Sequence, residues 1–155
     1  MNFTSSAFAE GGPIPAAFAM PGAGGSNRSL PFQWSDEPPG TRSFALSVVD
    51  PHPVANNWVH WLVIDLPASA HALAGGASGA RMPPGCQELR NGFGQPRYGG
   101  PQPPPGSGPH PYVCTLYALD AEHVQVTGGT TLEAFQGALQ GHILAQARIT
   151  GTFRR

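Results

Sequence analysis

Apolar residues in this chain gather into runs that alternate without a polar side. Ser43 to Val49 (SFALSVV) places Phe44, Leu46 and Val48 on one set of alternate positions and Ala45, Ser47 and Val49 on the other, both mostly apolar. Successive strand residues face opposite sides, so this run predicts a strand buried on both faces. Trp58 to Leu66 repeats the pattern and is ended by Asp65 and Pro67, Tyr112 to Leu119 is a third such strand, and Leu30 to Trp34 predicts a short one. The period changes once. Leu132, Phe135, Ala138 and Leu139 follow helical spacing, which predicts a helix over Thr131 to Gln140 with Thr130 or Thr131 as N-cap and Glu133 in the first turn. Gly141 ends it, and Ala145 to Phe153 returns to alternation with Ala147, Ile149 and Gly151 on one face. Strands in the majority plus one helix near the C-terminus predict an all-β-dominated fold, an antiparallel sandwich with a helical appendage.

Composition sharpens the loops. Gly and Pro supply 39 of the 155 residues, close to low-complexity levels, yet they concentrate between the apolar runs. That distribution belongs to turn-rich β proteins. With 40% hydrophobic residues and a formal net charge of −1, residues 1–155 read as one folded domain. Residues 1–17 form an arm anchored by Phe3, Phe8 and Ile14, either an edge strand or loosely ordered. The span 67–111 is longer than an ordinary connection, and Leu89, Phe93 and Tyr98 anchor it.

Charge and cysteine narrow the function classes. All eight cationic residues are Arg and none cluster into a stripe, so nucleic acid is a poor partner. No apolar run approaches the roughly 18 residues of a membrane span, and no basic segment followed by an apolar one opens the chain, so the expectation is a cytoplasmic protein without membrane insertion. Cys86 and Cys114 are expected to be free thiols, the second a small core residue.

The candidate chemistry sits at two strand ends. In DPHPVANNWVHW a strand ends at Asp50, a proline loop follows, and His60 opens the next strand. In GGPQPPPGSGPHPY a loop too rich in proline for helix or central strand delivers His110 and Tyr112 to the mouth of another. Two stiff loops that each carry polar residues to a strand end predict a preorganised pocket. Alternation places His110, Tyr112 and Cys114 on one face, His60 with Trp58, Leu62 and Ile64, and Asp50 with Phe44, Leu46 and Val48. A carboxylate ending an apolar face needs a partner or a pocket rim. Asp50 is therefore expected to accept from one histidine and fix its tautomer, leaving the other ring nitrogen to the ligand. The alternative is that loop amides satisfy each polar group separately.

Other chemistries are weaker. His52, His60 and His110 with Asp50 offer zinc-type donors, but their spacing matches no closed zinc motif, so no metal or other cofactor is expected. Ser107 stands three residues before His110, which with Asp50 supplies the residue types of a small-molecule hydrolase, although no Gly-x-Ser-x-Gly elbow is present. Trp34, Trp58 and Trp61 read as core packing, with Trp58 and Trp61 also available as pocket wall. His71, His123 and His142 read as structural or exposed, with His142 placed to cap the helix end.

The two loop segments resemble the signatures of the phosphatidylethanolamine-binding protein family, in its bacterial, Raf-kinase-inhibitor-like branch. The matching residues are Asp50, Pro51, Pro53, Trp58, His60 and Trp61, then Gly100, Pro101, Pro103, Pro104, Gly106, His110 and Tyr112. Asn27 to Trp34, the group Asn91, Gly92, Gly94 and Tyr98, and Gly141, His142, Leu144 and Ala145 are similar to further family segments, so the resemblance runs from about Phe18 to Phe153. It implies a large central sheet packed on a smaller one. It also implies a small-anion pocket for phosphate or a phosphorylated head group, lined by Asp50, Pro53, His60, Gly100, Pro101, His110 and Tyr112, with His52, Trp58 and Trp61 as wall. On that reading histidine charge drives binding, which strengthens as pH falls from about 8 toward 6. The partner is a small anion, the protein non-catalytic; kinase or protease inhibition by protein contact and a homodimer are open alternatives. Three positions depart from the family pattern: His52 replaces an acid, Gln102 a cysteine and Pro111 an arginine.

Overall fold

A computed structural model of the chain describes residues 1–127 and 131–155. Nine elements of regular structure dominate it: β1 (Asn2–Thr4), β2 (Phe32–Ser35), β3 (Ser43–Asp50), β4 (Trp58–Pro67), β5 (Ala72–Leu73), β6 (Gln87–Glu88), β7 (His110–Leu119), α1 (Leu132–Leu139) and β8 (Ile143–Phe153). They form two antiparallel sheets, one in the order β1-β2-β5 and one in the order β6-β4-β3-β7-β8.

The central strands are the apolar runs. All eight residues of β3 are buried, because β3 lies mid-sheet and both of its faces are covered. One face packs Phe44, Leu46, Val48, Trp61, Val63, Cys114 and Leu116 against Phe3, Phe32, Trp34 and Leu73 of the small sheet. The other packs Ala45, Leu62, Ile64, Tyr117 and Leu119 against Phe135 and Leu139 of α1. The helix therefore covers the outer face of the large sheet, and it is followed by the eleven-residue β8 rather than ending the chain. Thr131 is the N-cap and its side chain accepts from the Ala134 amide, while the alternative cap, Thr130, lies outside the described residues.

The N-terminal arm takes the edge-strand form. Asn2, Phe3 and Thr4 pair with Ser35, Trp34 and Gln33, and Phe3, Phe8 and Ile14 are buried. Further on, the arm hydrogen-bonds the edge of β8: the Gly11 amide donates to Thr150 O, the Ile14 amide to Thr152 O, and the Thr152 amide to Gly12 O. Edge donors and acceptors are thereby satisfied along that stretch.

Two irregularities in the β3–β4 pairing decide which way β4 residues face. Val48 pairs with Trp61 but Val49 with Val59, so one extra residue of β4, His60, is fitted opposite β3. Phe44 pairs with Leu66 but Leu46 with Val63, a second extra residue, beside Asp65 at φ 59°. The first bulge overturns the expected alternation. Leu62 and Ile64 point to the helix side, whereas the His60 ring lies 5.0 Å from the Tyr112 ring on the side facing the small sheet.

Candidate functional site

The chain turns from β3 into β4 through His52 to Asn57. The amides of Ala55 and Asn56 both donate to His52 O, and Asn56 and Asn57 adopt left-handed φ of 52° and 57°, which asparagine tolerates. This tight loop stands beside the chain end of β3, and the loop preceding β7 stands opposite. Between them lies a cavity of about 470 Å³, the size of a small-ligand site. Its floor is Asp50, His60, His110 and Tyr112, and its mouth is apolar, with Val54, Trp58, Phe93, Pro103 and Pro104. No Arg lines it, and the chain has no Lys.

Asp50 is the hub. Its Oδ1 accepts from the His52 amide at 2.9 Å and its Oδ2 lies 2.6 Å from His110 Nδ1. Both side chains are almost fully buried, at 3% and 1% exposure, so the pair satisfies two groups that would be costly alone. The second nitrogen of His110 is engaged within the protein. Its Nε2 is 2.9 Å from Ser107 Oγ, whose one proton is donated to Pro104 O at 2.7 Å. The His52 ring stacks on His110 at 3.8 Å between centroids, and His52 Nδ1 accepts from the Val54 amide. Among the described residues no group of three His, Cys, Asp or Glu converges as a metal site.

His60 is built differently. Its Nδ1 donates to Gly99 O at 2.7 Å, and Nε2 has no hydrogen-bond partner among the described residues. Burial pushes this imidazole down to about 4, against weaker opposite pulls from the Gly99 carbonyl and the Asp50 carboxylate. At neutral pH it is therefore a neutral ring with a lone pair at Nε2. Tyr112 OH is buried without a partner, and burial together with Asp50 pushes its phenol well up, so it stays protonated. Hence the floor carries one unpaired acceptor and one unpaired hydroxyl.

The proton missing from folded His60 makes stability depend on pH. Below about 6.5 the unfolded chain binds a proton at this ring, while the folded chain does so only near pH 4. The contribution is full above 6.5 and is lost as pH falls toward 4, by about 3 kcal/mol in total. Urea midpoints of the native chain and His60→Gln, compared between pH 7 and 4.5, should converge as pH falls. Parallel lines would rule this assignment out.

The glycines and an asparagine set the wall. A Cβ on Gly92 would fall 2.5 Å from the Trp58 ring, and one on Gly100 would fall 2.1 Å from Phe18 O. Asn27, itself at φ 55°, accepts from the Gly100 amide at 2.7 Å through Oδ1. It thereby holds the strip that carries Gly99 O. Of the residues expected at the site, Asp50, Trp58, His60, His110 and Tyr112 line the cavity together. Gly100 and Pro101 lie behind the wall, where Pro101 O accepts from the Met20 amide. Pro53 is exposed on the loop and His52 stands behind His110, both outside the lining. Trp61 is not wall: it is fully buried in the core, with Nε1 donating to Glu88 Oε1 at 2.8 Å. Sequence reasoning missed Val54, Phe93, Gln102 and Asn27 as site residues. For Phe93 the signal was an anchoring aromatic in the long loop.

The remaining histidines are away from the cavity and meet carboxylates: His71 with Glu37, His123 with Asp65 and His142 with Asp120. The ring of His142 thus reaches Asp120, and its backbone amide donates to Leu139 O at the helix end. Cys86 and Cys114 are free thiols.

A two-sheet sandwich with a histidine–carboxylate pocket between proline-rich loops defines the class. The chain belongs to the phosphatidylethanolamine-binding protein family, which residues 4–154 match. It is 37% identical over 163 residues to the UPF0098 protein YbhB of Escherichia coli K12, covering 99% of each. It is also 37% identical over 153 residues to the putative lipoprotein LppC of Mycobacterium tuberculosis H37Rv, covering 99% of this chain and 70% of that one. The crystal structure of E. coli YbcL, described as a new member of the mammalian PEBP family, superposes with a TM-score of 0.91 at 31% identity, covering 99% of this chain and 98% of that chain.

Proposed function

We infer that the cavity binds the phosphoryl group of a small ligand, such as a phosphorylated head group, and that the protein is a non-catalytic anion-binding protein with a regulatory role. The observation that carries this is the buried Tyr112 hydroxyl without a partner, beside the open Nε2 of His60, at the floor of a preorganised cavity. Buried polar groups are ordinarily paired, so an orphan hydroxyl in a cavity wall points to a polar guest. The family's name, from phosphatidylethanolamine, supports a phosphoryl guest over other polar groups. The apolar mouth at Trp58, Val54 and Phe93 suits whatever the phosphoryl group is attached to.

Calorimetry with O-phosphoethanolamine and with ethanolamine tests this. Saturable binding is expected for the first only, weakened at least about tenfold in Tyr112→Phe, since a hydrogen bond to a charged group is worth roughly 1.5–3 kcal/mol. Equal binding of ethanolamine would turn the site into an amine pocket and overturn the reading. A cytoplasmic setting belongs to the proposal and rests on the two free thiols. No helix among the described residues is long and apolar enough to cross a membrane.

One observation favours a second, hydrolytic reading: Ser107, His110 and Asp50 stand in nucleophile, base and carboxylate order at 2.9 and 2.6 Å. Against it, Ser107 is outside the cavity lining and its hydroxyl proton is engaged by Pro104 O. Turnover of an activated ester that disappears in Ser107→Ala would promote this reading above the first.

A further inference from the structure

Away from the cavity, the outer edge of β8 is covered along only part of its length. The amides of Gly11 and Ile14 donate to the carbonyls of Thr150 and Thr152, and the Thr152 amide donates to Gly12 O. At Thr150 the cover changes from backbone to side chain, with Glu10 Oε2 accepting from its amide at 2.9 Å. There the arm leaves the edge. The β7–β8 ladder is regular from Ala145 to Phe153, so every second residue turns its amide and carbonyl outward in step with Thr150 and Thr152. Arg148 and Gln146 are the next two. Because β8 is the last strand of its sheet, their outward groups meet no strand among the described residues. Ile143 to Ala147 carries neither charge nor proline, the residues that ordinarily blunt an open edge, and Ile143 and Leu144 are 42% and 41% exposed.

A groove of about 550 Å³ lies beside this open stretch, with an apolar lining from Phe3, Phe8 and Ile149 and with Arg148 and Glu10 at its rim. Ala145, Ala147 and Ile149 face the core between the sheets, and by alternation Gln146 and Arg148 belong to the other face. Arg148 has no carboxylate partner among the described residues, and Glu10 is turned to the Thr150 amide. We propose that the open edge from Ala145 to Arg148 takes a strand of another protein, an extended segment in which apolar residues alternate with Asp or Glu. Its backbone pairs with Gln146 and Arg148, its apolar side chains enter the groove at Phe3 and Phe8, and a carboxylate on the other face meets Arg148. The arm is the precedent within the chain: it brings main-chain groups, the Glu10 carboxylate and the buried Ile14 to the neighbouring stretch of the same edge. A second copy of this chain fits less well. Two β8 edges related by a two-fold axis overlap over Leu144 to Arg148 only, because each arm occupies the edge from Thr150 onward. That register is centred on Gln146, sets Arg148 against Leu144 and brings no carboxylate to it.

The probe is a blocked peptide of about six residues alternating Val and Glu, with an alternating Val and Lys peptide as its counterpart. In a titration followed by ¹⁵N–¹H NMR, the Val–Glu peptide should give saturable shifts at the amides of Gln146 and Arg148 and slow their hydrogen exchange. The Val–Lys peptide should bind about two- to tenfold more weakly, since an exposed attraction at Arg148 becomes a repulsion. Arg148→Glu should invert that preference. Gln146→Pro removes one outward amide and leaves the β7 ladder intact, because proline is tolerated where an edge N–H faces solvent. It should keep a near-native urea midpoint and lose the shift at Arg148. The edge is separate from the cavity, so neither variant should alter the response to O-phosphoethanolamine.

No saturable shift at Gln146 and Arg148 up to roughly 10 mM Val–Glu peptide would overturn the proposal. Undiminished binding by a folded Gln146→Pro would overturn it by removing the backbone pairing, and equal affinity for the two peptides by removing the part given to Arg148. Should Gln146→Pro fail to fold, the preference of Arg148→Glu decides alone. Concentration-dependent dimerisation in sedimentation that is lost in Gln146→Pro would assign the edge to a second copy of this chain and overturn the foreign strand.

Discussion

Replacing Asp50 with alanine is expected to cost about 2–5 kcal/mol of folding stability, because it strands two buried donors at once. The His52 amide at 2.9 Å and His110 Nδ1 at 2.6 Å both lose their acceptor, at a site where Asp50 is 2% exposed. A typical domain has only roughly 5–15 kcal/mol to lose, so the urea midpoint should fall severely. Asp50→Asn keeps the shape and one carbonyl oxygen, and should lose about half as much. Its amide nitrogen would have to face one of two donors, which sets how far it falls short of native. A loss below about 1 kcal/mol in Asp50→Ala would mean that the hub is replaceable, and that the loop from His52 to Asn57 holds itself without it.

The second large effect separates two tryptophans that stand three residues apart. Trp61 is fully buried between Phe32 and Tyr98, with ring centroids 6.5 and 5.5 Å away, and its Nε1 donates to Glu88. Trp61→Ala should cost about 3–5 kcal/mol through the cavity it leaves, with the Glu88 hydrogen bond in addition. Trp58 is 39% exposed at the cavity mouth, edge-on to Phe93 at 5.4 Å. Trp58→Ala should cost about 1 kcal/mol or less in stability, yet weaken O-phosphoethanolamine roughly three- to tenfold, the value of one aromatic contact. Urea unfolding and calorimetry on the same two variants check both. The opposite assignment, with Trp61 affecting binding and Trp58 stability, would contradict the placement of the cavity.

That contrast also marks where sequence reading stops. The strands β3, β4 and β7 are legible nearly to the residue, because a strand buried on both faces must be apolar at consecutive positions, and few other structures ask for that. The helix is legible from its period and from Thr131. Strands of two or three residues such as β5 and β6 leave no period to read, and they exist only because β2 and β4 present unpaired edges to them. In the site, alternation predicts that His60 faces with Leu62 and Ile64, and the single extra residue at the bulge breaks that link. The same bulge leaves Trp58 at the cavity and sends Trp61 into the core. A bulge has no clear mark in the sequence here, so the facing of β4 could come only from its pairing.

The loops show a similar division. Their proline and glycine content announces stiffness, and the resemblance supplies Asp50, His60, His110 and Tyr112. What it does not supply is the state of each group. The expectation that histidine charge attracts the anion fails for His60, because a fully enclosed ring held by Gly99 O sheds its proton long before neutral pH. His110 is engaged at both ring nitrogens, by Ser107 on one side and Asp50 on the other.

In the proposed reading, His60 and Tyr112 together form the floor on which a phosphoryl group sits. The most direct measurement is a histidine-ring ¹⁵N NMR titration with O-phosphoethanolamine near pH 6, on the native chain and on Tyr112→Phe. The account predicts a saturable shift at His60 Nε2, with Nδ1 remaining the protonated nitrogen, and a much weaker response in the variant. Saturable shifts confined to other histidines, with His60 unmoved, would place the ligand elsewhere and contradict the account.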